Sequence, residues 1–435
     1  MTTHHILNRI FVATTLIFVG MITSVQVQTC PPNTGCLDTS FNGTGKVFIP
    51  TASLTHQESA VIQSDGKMIL LGDNQTTGVT LVRVDSTGAL DTTFGTNGIV
   101  YTNWHFNSTL PRGYPYDIAI QIITGQQGPE ERLVVVGAWT VPGAKKNTYT
   151  NDLRVDRYLP SGAPDPSFGT NGTLIVHNPY ALAVDIDYAN RIIAVGDSGG
   201  VTRLNSDGSI DTTFGPNLSG ATGAGGSMWD VKALADGSLV FAGSCASGRD
   251  TIMCVTKLKE NGAVDESFGT AGRAFANFYG SGSFSRAFAI DVDAAGNIVA
   301  GGTARAASVR NTNPANYFAA ARFTSTGLLD TRFNASGRVI STVSGVSRGV
   351  HWLSDVGMIM TGTSNGPTNP DFALTRYTSA GLLDTSFGTG GKVFTDVSRG
   401  DYSQKSLLWN GTKLVVFGGS DSAPFGVSFA RYVLN

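Results

Sequence analysis

The sequence predicts an all-β protein, a ring of four-stranded antiparallel sheets, and three observations support this prediction. A short motif of the type Leu-Asp-Thr-Ser-Phe-Gly recurs along the chain. Each later copy is preceded by two apolar runs joined by a tight polar turn and by a third apolar run. The two ends of the chain carry complementary parts of one such unit. Radial packing of four-stranded sheets, the β-propeller, is a known way to protect sheet edges, and the copies predict seven blades.

The composition is typical of a glycine-punctuated β protein. The chain has 435 residues, of which 54 are glycine, 14% are charged and 41% are hydrophobic. This balance argues against a coiled coil or a disordered chain. The formal net charge is −2 and the basic residues form no run, which argues against nucleic acid as a partner.

Residues 1–24 are predicted to be a signal peptide. An apolar run at 10–22 has the length of a signal-peptide core and is too short to span a bilayer. Cleavage after Ser24 would release a chain without a membrane span, and a retained membrane anchor is the alternative. We therefore expect a secreted or cell-surface protein, and a monomer.

Four cysteines suggest two local disulfides in an oxidising compartment. Cys30 and Cys36 lie close together in a short leader, residues 25–36, and Cys245 and Cys254 form a second near pair. Four cysteines permit three pairings, and the local one needs the least chain rearrangement. No histidine or further cysteine lies near either pair, which makes a metal site the weaker interpretation.

The motif occurs seven times between residues 37 and 435, which we predict to be one domain. Its phenylalanines are spaced 46 to 74 residues apart, as expected of a supersecondary unit that stacks on its neighbours. They are Phe41, Phe94, Phe168, Phe214, Phe268, Phe333 and Phe387.

Three strands are predicted before each motif. Runs such as "AVIQSDGKMILLG" and "LLWNGTKLVVFGG" are β-hairpins, and a third apolar run follows each hairpin. The chain stops at "FARYVLN", where the motif would come next, while "CLDTSFNGTGKVF" stands alone near the N-terminus. We therefore expect the N-terminal segment to complete the C-terminal blade. Either "LDTSF" or "GKVF" could supply the outer strand.

Each third strand carries one basic residue at the same place. An aspartate follows eight residues later in six copies, and we expect the seventh cation, Arg431, to meet Asp38 across the closure. A ring of charged sites is one interpretation, and a structural pair in each blade is the favoured one. The cations are Arg83, Arg157, Arg203, Lys257, Arg322, Arg376 and Arg431, and the aspartates are Asp91, Asp165, Asp211, Asp265, Asp330 and Asp384.

The copies "LDTSFGTGGKV", with "DGK" and "ARY" before them, resemble the bacterial delta-60 repeat family over residues 37–435. The resemblance implies a secreted or surface propeller. It implies no general activity and no catalytic residues. The second copy, "PDPSF", and the sixth hairpin, with "SDVGM", depart from the pattern.

A variable face is the predicted binding surface, because long loops join strands two and three and join successive blades there. The loop at 101–116 carries the candidate ligand-binding residues, and a protein or a glycan is the expected ligand. These residues are Trp104, His105, Phe106, Tyr114 and Tyr116. Packing over the rim of the second blade is the alternative role for these aromatic side chains.

First strands should line a central channel, and they carry the acidic residues Asp117, Asp185, Asp230 and Asp291. "DID" at 185–187 and "DVD" at 291–293 resemble fragments of a calcium site, although solvated charge is the simpler interpretation. We predict no cofactor, with Ca²⁺ as the alternative. A binding or scaffold module is the favoured function. A hydrolase or lyase with an acidic channel site, with or without Ca²⁺, is its rival, although no H-x-H, H-E-x-x-H or G-x-S-x-G pattern occurs.

Overall fold

A computed structural model describes most of the chain after residue 33, and every structural statement here concerns those residues. Within them the chain forms 26 β-strands and no α-helix, so no helix there could cross a membrane. The predicted signal peptide lies outside them. The described ranges are 34–51, 56–74, 78–102, 104, 112–125, 128–143, 145, 148–196, 199–215, 226–248, 250–308, 314–354, 356–365, 370–398, 400–420 and 425–434.

Antiparallel ladders of four strands dominate the fold, as predicted. Two of them lie in sequence order. The first contains β2 (His56–Ile62), β3 (Met68–Asn74), β4 (Gly78–Val84) and β5 (Ile99–Tyr101). The second contains β6 (Arg112–Gly125), β7 (Gly128–Pro142), β8 (Tyr149–Tyr158) and β9 (Thr173–Pro179). A three-stranded sheet follows, with β10 (Ala181–Ile186), β11 (Ile192–Gly196) and β12 (Val201–Leu204), and residues 216–225 after it lie outside the described ranges.

The next eleven strands make one sheet of three ladders, and one of these strands is shared between two ladders. Its first ladder contains β13 (Met228–Ala233), β14 (Leu239–Ser247), β15 (Asp250–Leu258) and β16 (Arg273–Ala276). Its second contains β17 (Phe284–Val292), β18 (Ile298–Arg305), β19 (Tyr317–Phe323) and the start of β20 (Arg338–Leu353). Its third contains the end of β20 with β21 (Gly357–Ser364), β22 (Asp371–Thr378) and β23 (Lys392–Thr395).

Strand β20 therefore serves two ladders. Its first half pairs with β19 and its second half with β21, without a loop between them. A single parallel bridge, between Thr251 and Phe284, connects the first ladder of this sheet to the second. These two links make three ladders into one continuous sheet.

The two ends of the chain meet in the remaining sheet. It contains β24 (Asp401–Trp409), β25 (Lys413–Ser420), β26 (Gly426–Val433) and, beside β26, the N-terminal strand β1 (Lys46–Pro50). The "GKVF" segment therefore forms the outer strand, from the pair Lys46–Ala430 onward. The "LDTSF" segment makes turns and a single bridge, Leu37 to Tyr432.

Cation, aspartate and phenylalanine form one repeated contact set, which we call the motif staple. In the last sheet Arg431 Nε donates to Asp38 Oδ2 at 2.8 Å, and its guanidinium lies 4.5 Å from the centre of the Phe41 ring. The corresponding Nε–Oδ2 distances at Arg83, Arg157, Arg203, Arg322 and Arg376 are 2.8 to 3.0 Å.

The staple also links neighbouring sheets. Arg431 Nη1 donates to the carbonyl of Ser86 at 2.6 Å, in a turn of the first ladder, and Arg83 Nη1 donates to Pro160 in the second. All seven motif phenylalanines are buried. The geometry supports the structural interpretation of the charge pairs, because the buried Arg431 guanidinium contacts a carboxylate, a ring face and a carbonyl together.

Lys257 is the exception among the seven cations. Its Nζ lies 3.7 Å from Asp265, and a cavity of about 540 Å³ beside it reaches Ser325, the turn residue that an arginine would contact. The shorter side chain thus leaves a gap between two ladders.

A disulfide joins Cys245 and Cys254 across β14 and β15, with 5.8 Å between the Cα atoms, as predicted. Cys36 is also disulfide-bonded. Because Cys30 lies outside the described residues, its pairing with Cys36 stays a prediction.

Candidate ligand site at the mouth of the central cavity

A cavity of about 410 Å³ lies where the first strands of the ladders converge. Seven strands contribute to its wall: β2, β6, β10, β13, β17, β20 and β24. In each ladder the first strand lies at the cavity wall, and the connection from one ladder to the next leads into that strand. The cavity is therefore built from seven equivalent positions, each with its own side chains.

Every one of these seven strands contains a β-bulge at the same place. The register against the second strand skips one residue, for example between Met228 and Asp230 in β13 and between Ala287 and Ala289 in β17. A bulge bends the strand and re-aims one side chain. Here each skipped residue lines the cavity. We call them the bulge ring: Glu58, Tyr116, Leu182, Trp229, Phe288, Arg348 and Gln404.

Aromatic rings and arginines are concentrated on one side of the bulge ring. The Trp229 and Phe288 rings meet edge to face, with centroids 5.4 Å apart. The Arg348 guanidinium lies 4.2 Å from the centre of the Phe288 ring, and that of Arg286 lies 5.1 Å from the Trp229 ring. Both cations therefore sit against ring faces or edges at distances at which cation–π attraction operates.

Hydrogen-bond donors in this cluster are unused. Trp229 Nε1 and Arg286 Nε are buried and have no hydrogen-bond partner among the described residues. Neither Arg286 nor Arg348 makes an ion pair with a described residue, whereas Arg157 and Arg203 of the staples do. Burial lowers the pKa of Arg286 and of Arg348, although Glu58 opposes the effect at Arg348. Arg348 lines the cavity, and Arg286 lies beside it against Trp229 and Phe288, which also line it; we call this end of the cavity the mouth. The mouth thus carries two partly desolvated cations that make no ion pair with a described residue.

Glu58 is the acidic member of the bulge ring. Burial, followed by the nearby charge of Asp73, raises the pKa of Glu58 to about 8, and Arg348 only partly offsets this. The carboxyl is therefore mostly protonated and neutral at pH 7, and it is able to donate a hydrogen bond into the cavity.

The four predicted channel aspartates all line the cavity, and each joins one inner strand to the next. In every case one carboxylate oxygen accepts the backbone N–H of the following inner strand. The bonds are Val184 N to Asp117 at 2.9 Å, Ala233 N to Asp185 at 2.9 Å, Ile290 N to Asp230 at 2.9 Å, and Trp352 N to Asp291 at 2.8 Å. These carboxylates act as clasps between neighbouring ladders.

Two lysines balance part of this acidic charge. Lys405 Nζ lies 3.0 Å from Asp117. Burial lowers the pKa of Lys232, but Asp185, Asp230 and Asp291 together outweigh burial and raise it. Both lysines are therefore charged at neutral pH and compensate the clasps.

His351 lies in the same wall as a neutral ring. Burial lowers its pKa to about 4, and its Nε2 lies 2.8 Å from Ser406 Oγ. The wall below the bulge ring is thus internally paired.

No group of three or more His, Cys, Asp or Glu side chains is arranged to hold a metal ion in the described part of the chain. The second aspartate of each calcium-like fragment accepts backbone hydrogen bonds within a tight turn. Asp187 accepts the N–H groups of Ala189 and Arg191, and Asp293 accepts those of Ala295 and Asn297. Ca²⁺ in the channel stays a prediction.

The predicted aromatic platform is dispersed. The expectation that Trp104 lies on the surface is wrong: it is 0% exposed, and its Nε1 donates to Asp156 at 2.5 Å beneath the Arg154 guanidinium. An indole that finds both an acceptor and a cation inside gains more from burial than from exposure. His105 and Phe106 lie outside the described residues.

The two tyrosines of that prediction lie on strand β6 and not on a loop. Tyr114 is half-buried beside Arg112, 5.6 Å from its guanidinium. Tyr116 belongs to the bulge ring, where its ring lies 5.8 Å from that of Tyr180.

Sequence reasoning missed the other six members of the bulge ring, although a signal was present. In six of the seven inner strands the bulged residue lies five positions before the residue that opens the tight turn, as Glu58 does before Gln63 and Trp229 does before Leu234. Counting back from each turn would have aligned them.

Comparisons with known proteins identify the fold. The family described as "Domain of unknown function (DUF5122) beta-propeller" matches residues 63–94 and 190–214. No curated protein matches the sequence. Together with the four-stranded ladders, the family match indicates a β-propeller repeat protein.

Solved structures are similar in fold at low sequence identity. The polysaccharide lyase Uly1 has a TM-score of 0.51 and 9% identity, over 89% of this chain and 98% of that one. The WD40 β-propeller domain of Doa1 has a TM-score of 0.46 and 11% identity, over 89% of this chain and 97% of that one. The GH93 α-L-arabinofuranosidase of Fusarium graminearum has a TM-score of 0.45 and 10% identity, over 89% of this chain and 97% of that one. Of these three, Uly1 alone has a TM-score above 0.5, and at 9% identity that likeness shows the fold alone.

Proposed function

We propose that this protein is a secreted or cell-surface binding module, and that a saccharide binds at its bulge ring. The proposal includes a closed ring of seven blades, in which β1 completes the last blade. Seven inner strands around one cavity and the Asp38–Arg431 contact support that ring. The run at 10–22 and the disulfide in β14 and β15 support export.

One observation carries the functional proposal: the bulge ring has seven different residues at seven equivalent positions. The motif staple, by contrast, repeats nearly the same residues in every unit. A position that served the fold alone would be expected to repeat, as the staple does. The bulge ring instead combines aromatic rings, one cation, a carboxyl and an amide around one concave space, which is the usual composition of a ligand pocket.

The shape of the site favours a saccharide over a protein surface. A recess of about 410 Å³ has the volume of a small-ligand pocket, whereas a stable protein interface needs a broad surface of about 800 Å² on each partner. Trp229 and Phe288 offer apolar ring surface beside the free indole N–H. Sugars present both apolar C–H faces and hydroxyl acceptors, so they match this pair of features.

Calorimetric titration of the mature chain with maltohexaose, cellohexaose and hexagalacturonate would test the proposal. We expect at least one to bind, and Trp229→Ala to weaken that binding at least tenfold. Tyr188→Ala is the matched control, because Tyr188 is an aromatic residue 77% exposed on a tight turn away from the mouth. Equal losses in both variants, or no binding by any oligosaccharide, would contradict saccharide binding at the bulge ring.

A hydrolase or lyase is the second candidate, and Glu58 is the observation that favours it. A carboxyl that keeps its proton at pH 7 is suited to act as a general acid. Incubation of the same oligosaccharides with the protein, followed by an assay for new chain ends, would reveal catalysis. Catalysis that survives in Glu58→Gln would exclude this role for Glu58.

A further inference from the structure

We infer that the saccharide bound at the bulge ring carries an anionic group, a carboxylate or a sulfate ester, which Arg286 and Arg348 bind together. This inference rests on the proposed function and specifies the class of saccharide. The feature that carries it is the pair of arginines at the mouth that have no carboxylate partner.

The two arginines face the same aromatic side chain. The centre of the Phe288 ring lies 4.2 Å from the Arg348 guanidinium and 5.7 Å from that of Arg286. Their charges repel each other, since Arg286 contributes to the lowered pKa of Arg348. Two like charges on the ring of one residue, with no described acid in ion-pair contact, indicate a place where a negative charge would be stabilised.

No acid in the described wall fills that place. Glu58 is the acid that faces Arg348, and it is mostly neutral at pH 7 because its pKa is about 8. The four clasp aspartates are engaged with backbone N–H groups and lysines deeper in the cavity. Arg305 stacks on Phe284 at 5.0 Å, which adds a further positive charge near Arg286.

The arginines of the motif staples provide the internal comparison. Arg157, Arg203 and Arg431 are fully buried, whereas Arg286 and Arg348 are half-buried, and each of the three staple arginines donates to an aspartate at 2.8 Å. Burying a guanidinium without an anion has a free-energy cost that this fold avoids at the staples. Arg286 and Arg348 are only half-buried, so they bear part of that cost without an aspartate partner, and an incoming anion would offset that part.

Arginine and a ring face together also suit this ligand geometrically. A planar guanidinium binds a carboxylate or a sulfate through two parallel N–H bonds. The edge-to-face pair Trp229–Phe288 would contact the sugar ring that carries the group. Such an arrangement would discriminate an acidic sugar residue from a neutral one of the same size.

Titration calorimetry with three hexasaccharides tests the inference: hexagalacturonate for carboxylate, a κ-carrageenan hexasaccharide for sulfate ester, and maltohexaose as the neutral case. We expect one acidic ligand to bind at least tenfold more tightly than maltohexaose at 50 mM NaCl, with a smaller advantage at 300 mM. Arg286→Gln and Arg348→Gln should each remove most of that advantage. Arg332→Gln is the control, because Arg332 is an exposed cation next to a motif aspartate and away from the mouth.

The outcomes separate the inference from the proposed function. Neutral and acidic ligands binding equally, with no effect of the arginine variants, would overturn the inference and leave saccharide binding intact. No binding by any of the three would contradict saccharide binding itself. If a glutamine variant fails to fold, Arg348→Lys keeps the charge without the two-pronged donor, and an unchanged acidic preference in that variant would contradict paired recognition of the anion.

Discussion

The motif staple and the bulge ring occur once in every unit of the same repeat, yet they differ in what they tolerate. At the staple, six of the seven units have an arginine and an aspartate, and the contacting distances vary by only 0.2 Å. At the bulge ring no two units share a residue. The staple serves the same structural purpose in each unit that has it, whereas the bulge ring faces a cavity in which each position has a different neighbour.

Two arginines on phenylalanine rings allow the most direct test of this difference. Arg376 lies 4.5 Å from the Phe387 ring in a staple, and Arg348 lies 4.2 Å from the Phe288 ring in the bulge ring. We expect Arg376→Ala to lower the free energy of unfolding by about 3–5 kcal/mol, because a fully buried side chain is removed and the partly buried Asp384 loses its cation. Arg348→Ala should change it by less than about 1 kcal/mol, since no acid there is left unpaired. Urea unfolding of both variants measures the contrast, and equal effects would remove the distinction.

The clasp aspartates should give an intermediate effect. Asp230→Ala leaves the N–H of Ile290 without its acceptor, at an expected cost of about 1–3 kcal/mol. Asp230→Asn keeps an oxygen at that position and should stay near the wild type, partly because burial raises the pKa of Asp230 and already disfavours its charge. If the asparagine variant is the less stable of the two, the clasp depends on charge and not on hydrogen bonding.

Glu58 makes a prediction with a defined pH dependence. In the unfolded chain its carboxyl ionises near pH 4.5, and in the folded protein near pH 8. Between these values the folded state holds a proton that the unfolded state has lost, so Glu58 reduces stability progressively as the pH rises through that window. We expect Glu58→Gln to match the wild type at pH 4 and to exceed it by about 1–2 kcal/mol at pH 8.5, after allowance for partial solvation.

Parallel denaturation curves for the Glu58→Gln variant and the wild type at those two pH values check this. A constant difference between them would show that burial does not perturb Glu58. Asp73 and Arg348, the charges that act on Glu58, remain unchanged in the variant.

Lys257 should give the smallest effect and the opposite sign. Lys257→Arg would restore the missing staple and place a guanidinium in the gap that reaches Ser325. We expect a gain of about 0.5–1 kcal/mol in the free energy of unfolding, the net worth of one or two added hydrogen bonds. Lys259→Arg, on an exposed turn nearby, is the matched control. A loss of stability would mean that the guanidinium does not fit the gap and that the missing staple cannot be restored there.

The sequence supported the fold more fully than the site, for a physical reason visible in particular residues. Within each motif the phenylalanine follows the aspartate by three residues, and in six units the aspartate follows the cation by eight. Fixed offsets of this kind can be recognised without coordinates. Which of "LDTSF" and "GKVF" forms the outer strand was undecided, since both are short and polar-flanked. The pairing of Lys46 with Ala430 decides it.

The site depends on β-bulges, and a bulge leaves no mark in the alternating pattern of apolar and polar residues along a strand. In β17 the residues "RAFAIDV" read as a regular strand, and only the register shift around Phe288 shows which side chain faces the cavity. Trp104 was misassigned because loop position predicts exposure, whereas its partners, Asp156 and Arg154, are contributed by a strand about 50 residues away. Tertiary contacts of that kind have no local signature.

The pairing of β1 with β26 also bears on how the chain acquires its structure. Residues 46–50 and 426–433 are separated by most of the chain, so this ladder cannot form until residue 433 has left the ribosome and any export channel. Contacts of such sequence separation fold slowly, and the unpaired edge of β26 is open to non-native pairing until they form. Commitment to the native state therefore comes late in folding, at the step where the two distant strands pair.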